Sequence, residues 1–259
     1  MKKSALLKTL LASAFTFGFA AQAMAGEISD RVEKTKVLLV GTEGTYAPFT
    51  FHDESGKLTG FDVEVITEVA KRVGLTPEFK ETQWDSMYAG LNAKRFDVIA
   101  NQTTPSPERL KKYIFSKPYN YSSSVVVVKD GNDSIKSLAD LKGKKAAQSL
   151  TSNFGKTAKA SGAEITVVDG LAQALKLITQ DRVETTINDQ LAVLDYFKKQ
   201  PNAGLKIAFK NDDKVASAFA LIQGEEALVE KLDKGLEEIR KDGTLKQLSI
   251  KWFGDDVTE

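Results

Sequence analysis

The sequence predicts an α/β protein made of two successive α/β units. Three observations carry this: short apolar runs closed by turn residues recur along the chain, stretches of helical apolar spacing alternate with them, and the pattern restarts after Pro118. The length of 259 residues agrees with two units, since a domain usually runs roughly 100 to 200 residues.

In the first unit, Val37-Leu38-Leu39-Val40 ended by Gly41 reads as a buried strand. Phe61, Val65, Ile66, Val69 and Val73 fall at helical spacing, and Gly74 stops that helix. Pro77 to Lys80 is a weaker strand, Asp85 to Ala93 a short helix, and Asp97 to Ala100 a third strand. A βαβαβ order implies a parallel sheet, with ligands near the carboxyl ends of its strands. In the second unit, strands are expected at Val125 to Val128, Lys145 to Gln148, Ile165 to Val168 and Val183 to Ile187. Helices are expected at Ser152 to Ala160, Leu171 to Thr179 and Gln190 to Lys199.

The tail adds a strand at Ala218 to Ile222, an amphipathic helix from Glu225 to Arg240 and a last helix from Thr244 to Trp252. These helices have no downstream strands to cover. They must return to a unit already made, so the second unit lies between two chain crossings.

Composition narrows the function. Apolar residues make up 42% and charged residues 27%, the balance of a soluble globular chain and not of a disordered or multi-span one. With 36 basic and 35 acidic residues no basic stripe for nucleic acid is expected. The absence of cysteine removes disulfides, thiolate metal sites and cysteine nucleophiles. A single histidine, His52, has no second His for a metal site and reads as an incidental surface residue in a loop. No phosphate loop, dinucleotide fingerprint, zinc-protease helix or nucleophile elbow is present. No metal or cofactor is therefore expected, and catalytic residues are expected to be none.

Residues 1–25 read as a secretory signal peptide: Lys2, Lys3 and Lys8, an apolar stretch from Thr9 to Ala21, then Ala23-Met24-Ala25 as the cleavage site. The stretch is short of the ~20 residues that span a bilayer. Those three lysines are its only charges, so the chain beyond it is slightly acidic, near −2. Periplasmic location after export follows as an expectation.

Candidate site residues cluster at predicted strand ends. Asn101-Gln102-Thr103-Thr104 and Arg109 follow the third strand, and Arg109 can hold a carboxylate bidentately where Lys111 or Lys112 cannot. The same charges also fit a solvated helix start. Gln148 to Asn153 opens a helix after a strand, so its N–H groups with Thr151 and Ser152 suit an anion, or simply cap the helix. Asp189 follows the strand ending at Ile187 and could pair with an ammonium group or cap the next helix. Tyr46 and Trp84 follow strands and can wall a pocket, whereas Phe49 and Phe51 read as core and Trp252-Phe253 as packing.

A resemblance covers essentially the whole chain after the signal peptide. Its pieces are Gly60-Phe61-Asp62-Val63-Glu64, Trp84-Asp85-Ser86-Met87, Thr104 to Arg109 with Lys111 to Tyr119, Asp140 to Lys144, Lys241 to Thr244, and Lys251-Trp252-Phe253-Gly254. In that order and spacing the chain resembles the polar amino-acid branch of the periplasmic solute-binding proteins of ABC importers.

The resemblance implies the two-lobed periplasmic-binding-protein-like fold of type II, two α/β domains joined by two hinge strands. Lobe 1 would be 26–118 plus 220–259, lobe 2 would be 124–214, and the crossings 119–123 and 215–219. It implies that Arg109 holds the ligand α-carboxylate, helped by Thr104, Thr151 and Ser152, and that Asp189 takes the α-ammonium. It makes Tyr46 and Trp84 aromatic walls and Glu43 a ligand contact. Trp84-Asp85 with Asn101-Gln102 is similar to cystine and cysteine binders, which adds Gln102 to the site. The chain departs at Pro105, where the family usually has an aliphatic residue and where proline stiffens the loop.

The function implied is capture of L-cystine or L-cysteine by lobe closure and delivery to the membrane permease of an ABC importer, by a monomer and without nucleic acid as partner. Glutamine or another polar amino acid is the alternative ligand. A cyclohexadienyl dehydratase-like enzyme on the same scaffold is the alternative class, with Glu43 as its acid or base.

Overall fold

The computed structural model describes residues 26–259; the expected signal peptide lies outside the described residues. The chain opens with α1 (Glu27–Thr35) and β1 (Val37–Thr42), then a small antiparallel meander of β2 (Thr45–Tyr46), β3 (Thr50–His52) and β4 (Leu58–Thr59). It continues through α2 (Phe61–Arg72), β5 (Thr76–Glu81), α3 (Trp84–Asn92), β6 (Val98–Ile99), α4 (Pro107–Leu110) and β7 (Tyr113–Phe115). A first crossing strand, β8 (Asn120–Ser122), leads into β9 (Ser124–Lys129), β10 (Lys145–Gln148), α5 (Asn153–Ala160) and β11 (Glu164–Val167). There follow α6 (Leu171–Thr179), β12 (Thr185–Asp189), α7 (Gln190–Lys199) and β13 (Leu205–Lys210). The second crossing strand, β14 (Val215–Ser217), returns to β15 (Ala220–Ile222), α8 (Glu226–Lys241) and α9 (Thr244–Phe253).

Two five-stranded sheets result, in the orders β5-β1-β6-β15-β7 and β11-β10-β12-β9-β13. The expected parallel core is present in each: β1 pairs in parallel with β5 and β6, and β10 with β11 and β12. Neither sheet is wholly parallel, which corrects the sequence expectation. β15 runs against the first sheet's direction and β9 against the second's, while the outer strands β7 and β13, antiparallel to these, run with the parallel strands. The cause is the crossing itself. A strand arriving from the other lobe enters at the carboxyl ends of the parallel strands, so Ser124 pairs with Asp189 and Ala220 with Ile99, and the strand must run the opposite way. The four-valine run is such a strand, and Val125 to Val128 are buried on both faces.

The crossings pair with each other. Val215 faces Ser122, Ala216 faces Tyr121 and Ser217 faces Asn120 in a two-stranded antiparallel ladder.

The returning tail packs on the first lobe. Leu228, Leu232, Leu236 and Ile239 form the buried face of α8. Gly235 lets α8 approach α2 closely, since a Cβ there would stand 2.7 Å from the Val69 carbonyl oxygen. Glu225, just before α8, caps α1, which the sequence reading left unassigned: its carboxylate accepts from the Ile28 and Ser29 N–H groups at 3.0 and 2.7 Å. Gly60 sets the start of α2, with φ of +128° and its Cα so close to the chain that a Cβ would lie 2.2 Å from the Phe49 carbonyl oxygen. Phe253 packs on Phe61 and Phe49, and Trp252 stands edge-on to Phe51. Phe49 is fully buried, whereas Phe51 is only half-buried. His52 lies on β3 and not in a loop; its Nδ1 donates to the Gly44 carbonyl at 3.2 Å, and its Nε2 stands 3.2 Å from the Glu81 carboxylate. Among the described residues no helix is long and apolar enough to cross a membrane, and no metal-ligand cluster is present.

Candidate functional site

The carboxyl ends of the strands of both sheets face one cleft. From the first lobe come Glu43 beyond β1, and Asn101, Gln102 and Thr104 beyond β6. From the second come Ser149, Ser152 and Asn153 beyond β10, Asp169 to Leu171 beyond β11, and Asn188 and Asp189 at the end of β12. The space free of protein atoms is about 630 Å³ counting its open mouth, which suits a small molecule and excludes a macromolecule.

Arg109 sits in the four-residue α4, whose start is capped by Ser106 and stiffened by Pro107 at its first position. Its side chain is buried, with Nη1 donating to the Thr104 carbonyl at 3.0 Å and Nη2 to the Thr151 carbonyl at 3.2 Å. The guanidinium lies over the rings of Trp84 and Tyr88, 5.3 and 5.0 Å from their centroids. Burial pulls its pKa down, partly offset by Tyr88. No carboxylate among the described residues pairs with it. A buried, unneutralised cation facing a cleft is a binding group awaiting an anion.

Asp189 is the opposite case. It caps α7, accepting from the Leu191 N–H at 2.7 Å and from the Ser122 hydroxyl at 2.9 Å, both on Oδ1. It is buried, and burial raises its pKa to about 6 against those hydrogen bonds. The other oxygen retains acceptor capacity for a cationic group.

Glu43 accepts from the Asn101 side-chain amide at 2.6 Å, while Asn101 Oδ1 accepts from the Glu43 N–H at 2.7 Å. Burial raises the Glu43 pKa to about 7, against the hydrogen bonds from Asn101 and the Trp84 backbone. Tyr46 spans the cleft, its hydroxyl donating to Asn188 Oδ1 at 2.7 Å. Trp84 lines the cleft with its indole N–H buried and without an acceptor among the described residues.

Gln102 lines the cleft and also ties it to the crossings. Its N–H and side-chain amide donate to Asp62 at 2.7 and 2.6 Å, and its side-chain oxygen accepts from the Ser217 hydroxyl at 2.7 Å. Asn120 of the other crossing strand bonds the same amide at 3.2 Å. Gln102 adopts the left-handed region, φ of +49°, held there by these bonds. Asp62 is buried and raised to about 7 by desolvation.

Eight of the nine predicted site residues thus line one cleft, and Thr151 is the exception. Its hydroxyl and N–H both donate to Asp85 of the first lobe, at 2.8 and 2.9 Å, which turns them away from the cleft. Ser152 does line the cleft, but its hydroxyl caps α5 by accepting from the Gly155 N–H at 2.9 Å. The sequence reading missed Asp169, Gly170 and Leu171, which follow β11 and open α6. The strand-end rule applied to that strand would have found them.

Comparisons with known proteins agree in kind. Residues 38–255 match the family described as "Bacterial extracellular solute-binding proteins, family 3". The chain is 68% identical over 259 residues, all of both chains, to a Haemophilus influenzae protein named "Probable amino-acid ABC transporter-binding protein". It is 54% identical over 235 residues, 90% of this chain and 87% of the other, to the "L-cystine-binding protein TcyA" of Bacillus subtilis. Among solved structures, the L-cystine solute receptor of Neisseria gonorrhoeae in its unliganded open conformation is 52% identical, covers 90% of this chain and all of its own, and superposes with a TM-score of 0.60. The chain belongs to family 3 of the bacterial extracellular solute-binding proteins.

Proposed function

We propose that the protein captures a free amino acid, L-cystine or L-cysteine, in the periplasm and hands it to the permease of an ABC importer. The observation that carries this is the pairing of opposites across the cleft. A buried guanidinium without a carboxylate stands on the first lobe, and a buried carboxylate with acceptor capacity to spare stands on the second. A zwitterion needs both, so the ligand itself joins the lobes. Arg109 takes the α-carboxylate and Asp189 the α-ammonium, while Tyr46 and Trp84 flank the side chain and Thr104, Ser152 and Gln102 complete the walls.

The lobes in this reading are 26–118 with 220–259, and 124–214, and they close about 119–123 and 215–219. Ligand contacts made in both lobes at once favour the closed arrangement, which is a population shift. The choice of cystine rests on Trp84-Asp85 with Asn101-Gln102 and on the names of the relatives. The partner permease and the monomeric state follow from the same family reading.

A thermal-shift panel of the common amino acids plus L-cystine under non-reducing conditions tests it. L-cystine should give the largest rise in melting temperature. A cystine shift no larger than that of glutamine or histidine counts against the ligand assignment. The chain binds and does not transform its ligand in this reading, because Glu43 is held by Asn101 and the Trp84 backbone as part of a wall. Turnover of prephenate or arogenate would contradict that.

A further inference from the structure

The loop 149–152 of the second lobe is gripped by the first lobe from two sides. From the cleft wall, Arg109 Nη2 donates to the Thr151 carbonyl at 3.2 Å. On the rim, the Asp85 carboxylate accepts three hydrogen bonds: Oδ2 from the Leu150 N–H at 3.0 Å, and Oδ1 from the Thr151 N–H and hydroxyl at 2.9 and 2.8 Å. Asp85 lies in the first turn of α3, is solvent-exposed, and does not line the cleft. Its three donors all belong to the other lobe. One carboxylate meeting three converging donors is a much better matched contact than the neighbouring exposed ion pair of Lys156 with Glu108.

We infer that Asp85 is a positioning residue that latches the second lobe onto the first and, through the Thr151 carbonyl, sets the Arg109 guanidinium in place for the ligand carboxylate. This rests on the reading of the cleft as a closing amino-acid site. The latch spans both lobes, so it forms after encounter and acts on ligand release. It also raises the fraction of protein in the binding-competent arrangement, which scales the apparent affinity.

The test is Asp85→Ala, measured with L-cystine by titration calorimetry and stopped-flow tryptophan fluorescence. Affinity should weaken about tenfold, the size expected for losing a small set of partly exposed charge-assisted hydrogen bonds, with the loss in the dissociation rate. Asp85→Asn, which presents one acceptor oxygen to three donors, should fall between. The double variant with Thr151→Val should be no weaker than Asp85→Ala alone, because the hydroxyl bond that Thr151→Val removes is already lost with the Asp85 carboxylate. A wild-type dissociation rate in Asp85→Ala, or fully additive losses in the double variant, overturns the latch.

A second readout needs no particular ligand. The chain has no cysteine, so nitroxides at Lys112→Cys and Lys159→Cys report the spacing of the lobes without background. Asp85→Ala should shift that distance distribution to longer values. Distributions identical to the parent's both with and without amino acid overturn the latch, whereas a parent protein that binds no amino acid counts against the functional reading alone.

Discussion

The two lobes offer the cleft opposite charges in opposite states. Arg109 on the first lobe is held only by carbonyls and aromatic faces, so its charge is unmet by any carboxylate of the described chain. Asp189 on the second already serves as a helix cap and accepts a hydroxyl besides, so its charge is half met before any ligand arrives. The cation is specialised for the ligand, while the anion does two jobs. Removing the first should therefore cost binding alone, and removing the second should also touch the fold.

Arg109→Ala breaks this comparison most strongly. It should abolish amino-acid binding, a loss on the order of ~3 to 5 kcal/mol as for one partner of a buried charge pair, while the ligand-free protein keeps its cooperative melt. Titration calorimetry with L-cystine beside a circular-dichroism melt reads both. Retained binding would move the carboxylate site elsewhere.

Asp189→Asn comes next. Asparagine caps a helix about as well as aspartate, so α7 should survive while the ammonium loses its charge partner. Affinity should fall by roughly 2 to 3 kcal/mol, less than for Arg109, on the scale of a hydrogen bond to a charged group. Asp189→Ala should in addition lower the melting temperature, since the cap is lost as well. Equal melting temperatures for the two variants would contradict the double role.

The pH profile sharpens the same contrast. Burial raises Asp189 to about 6, and the deprotonated form is the one that receives an ammonium group. Ligand binding should therefore release a proton near pH 6, and affinity should fall as pH drops through that value. Calorimetry in buffers of different ionisation enthalpy counts the proton. Without ligand the sign is reversed. Between the ordinary carboxylate range and about 6 to 7, the folded chain holds protons on Asp189, Glu43 and Asp62 that the unfolded chain has lost. Stability of the ligand-free protein should therefore decline as pH rises through that window. In Asp189→Asn the affinity step near pH 6 should flatten.

The smallest effect is expected at Tyr46→Phe. It keeps the wall and removes the one hydroxyl that bonds Asn188 across the cleft, at about 1 kcal/mol, read as a several-fold weaker affinity.

Much of this was legible in the sequence because the relevant signals are local. Apolar runs and helical spacing located β1, α2, β10, α6 and α7, and strand ends located Arg109 and Asp189. What stayed hidden depends on contacts distant in sequence. α1 has a polar sequence, and its N-terminus is capped by Glu225 from nearly two hundred residues away. The antiparallel direction of β9 and β15 comes from the crossings, which no strand's own residues encode. Thr151 has the right side chain for an anion site, yet Asp85 of the other lobe turns it outward. Only the resemblance points to Gln102, and its bonds to Asp62, Asn120 and Ser217 link cleft and crossings in a way spacing does not disclose.

Arg109 and Asp189 grip one zwitterion at its two ends. Titration of the wild-type protein with L-cystine, with cystamine, which lacks the carboxylates, and with 3,3′-dithiodipropionate, which lacks the ammonium groups, tests it most directly. L-cystine should bind tightly, and neither analogue should give measurable heat. Binding of either analogue within about tenfold of L-cystine, that is within about 1.4 kcal/mol, would contradict it.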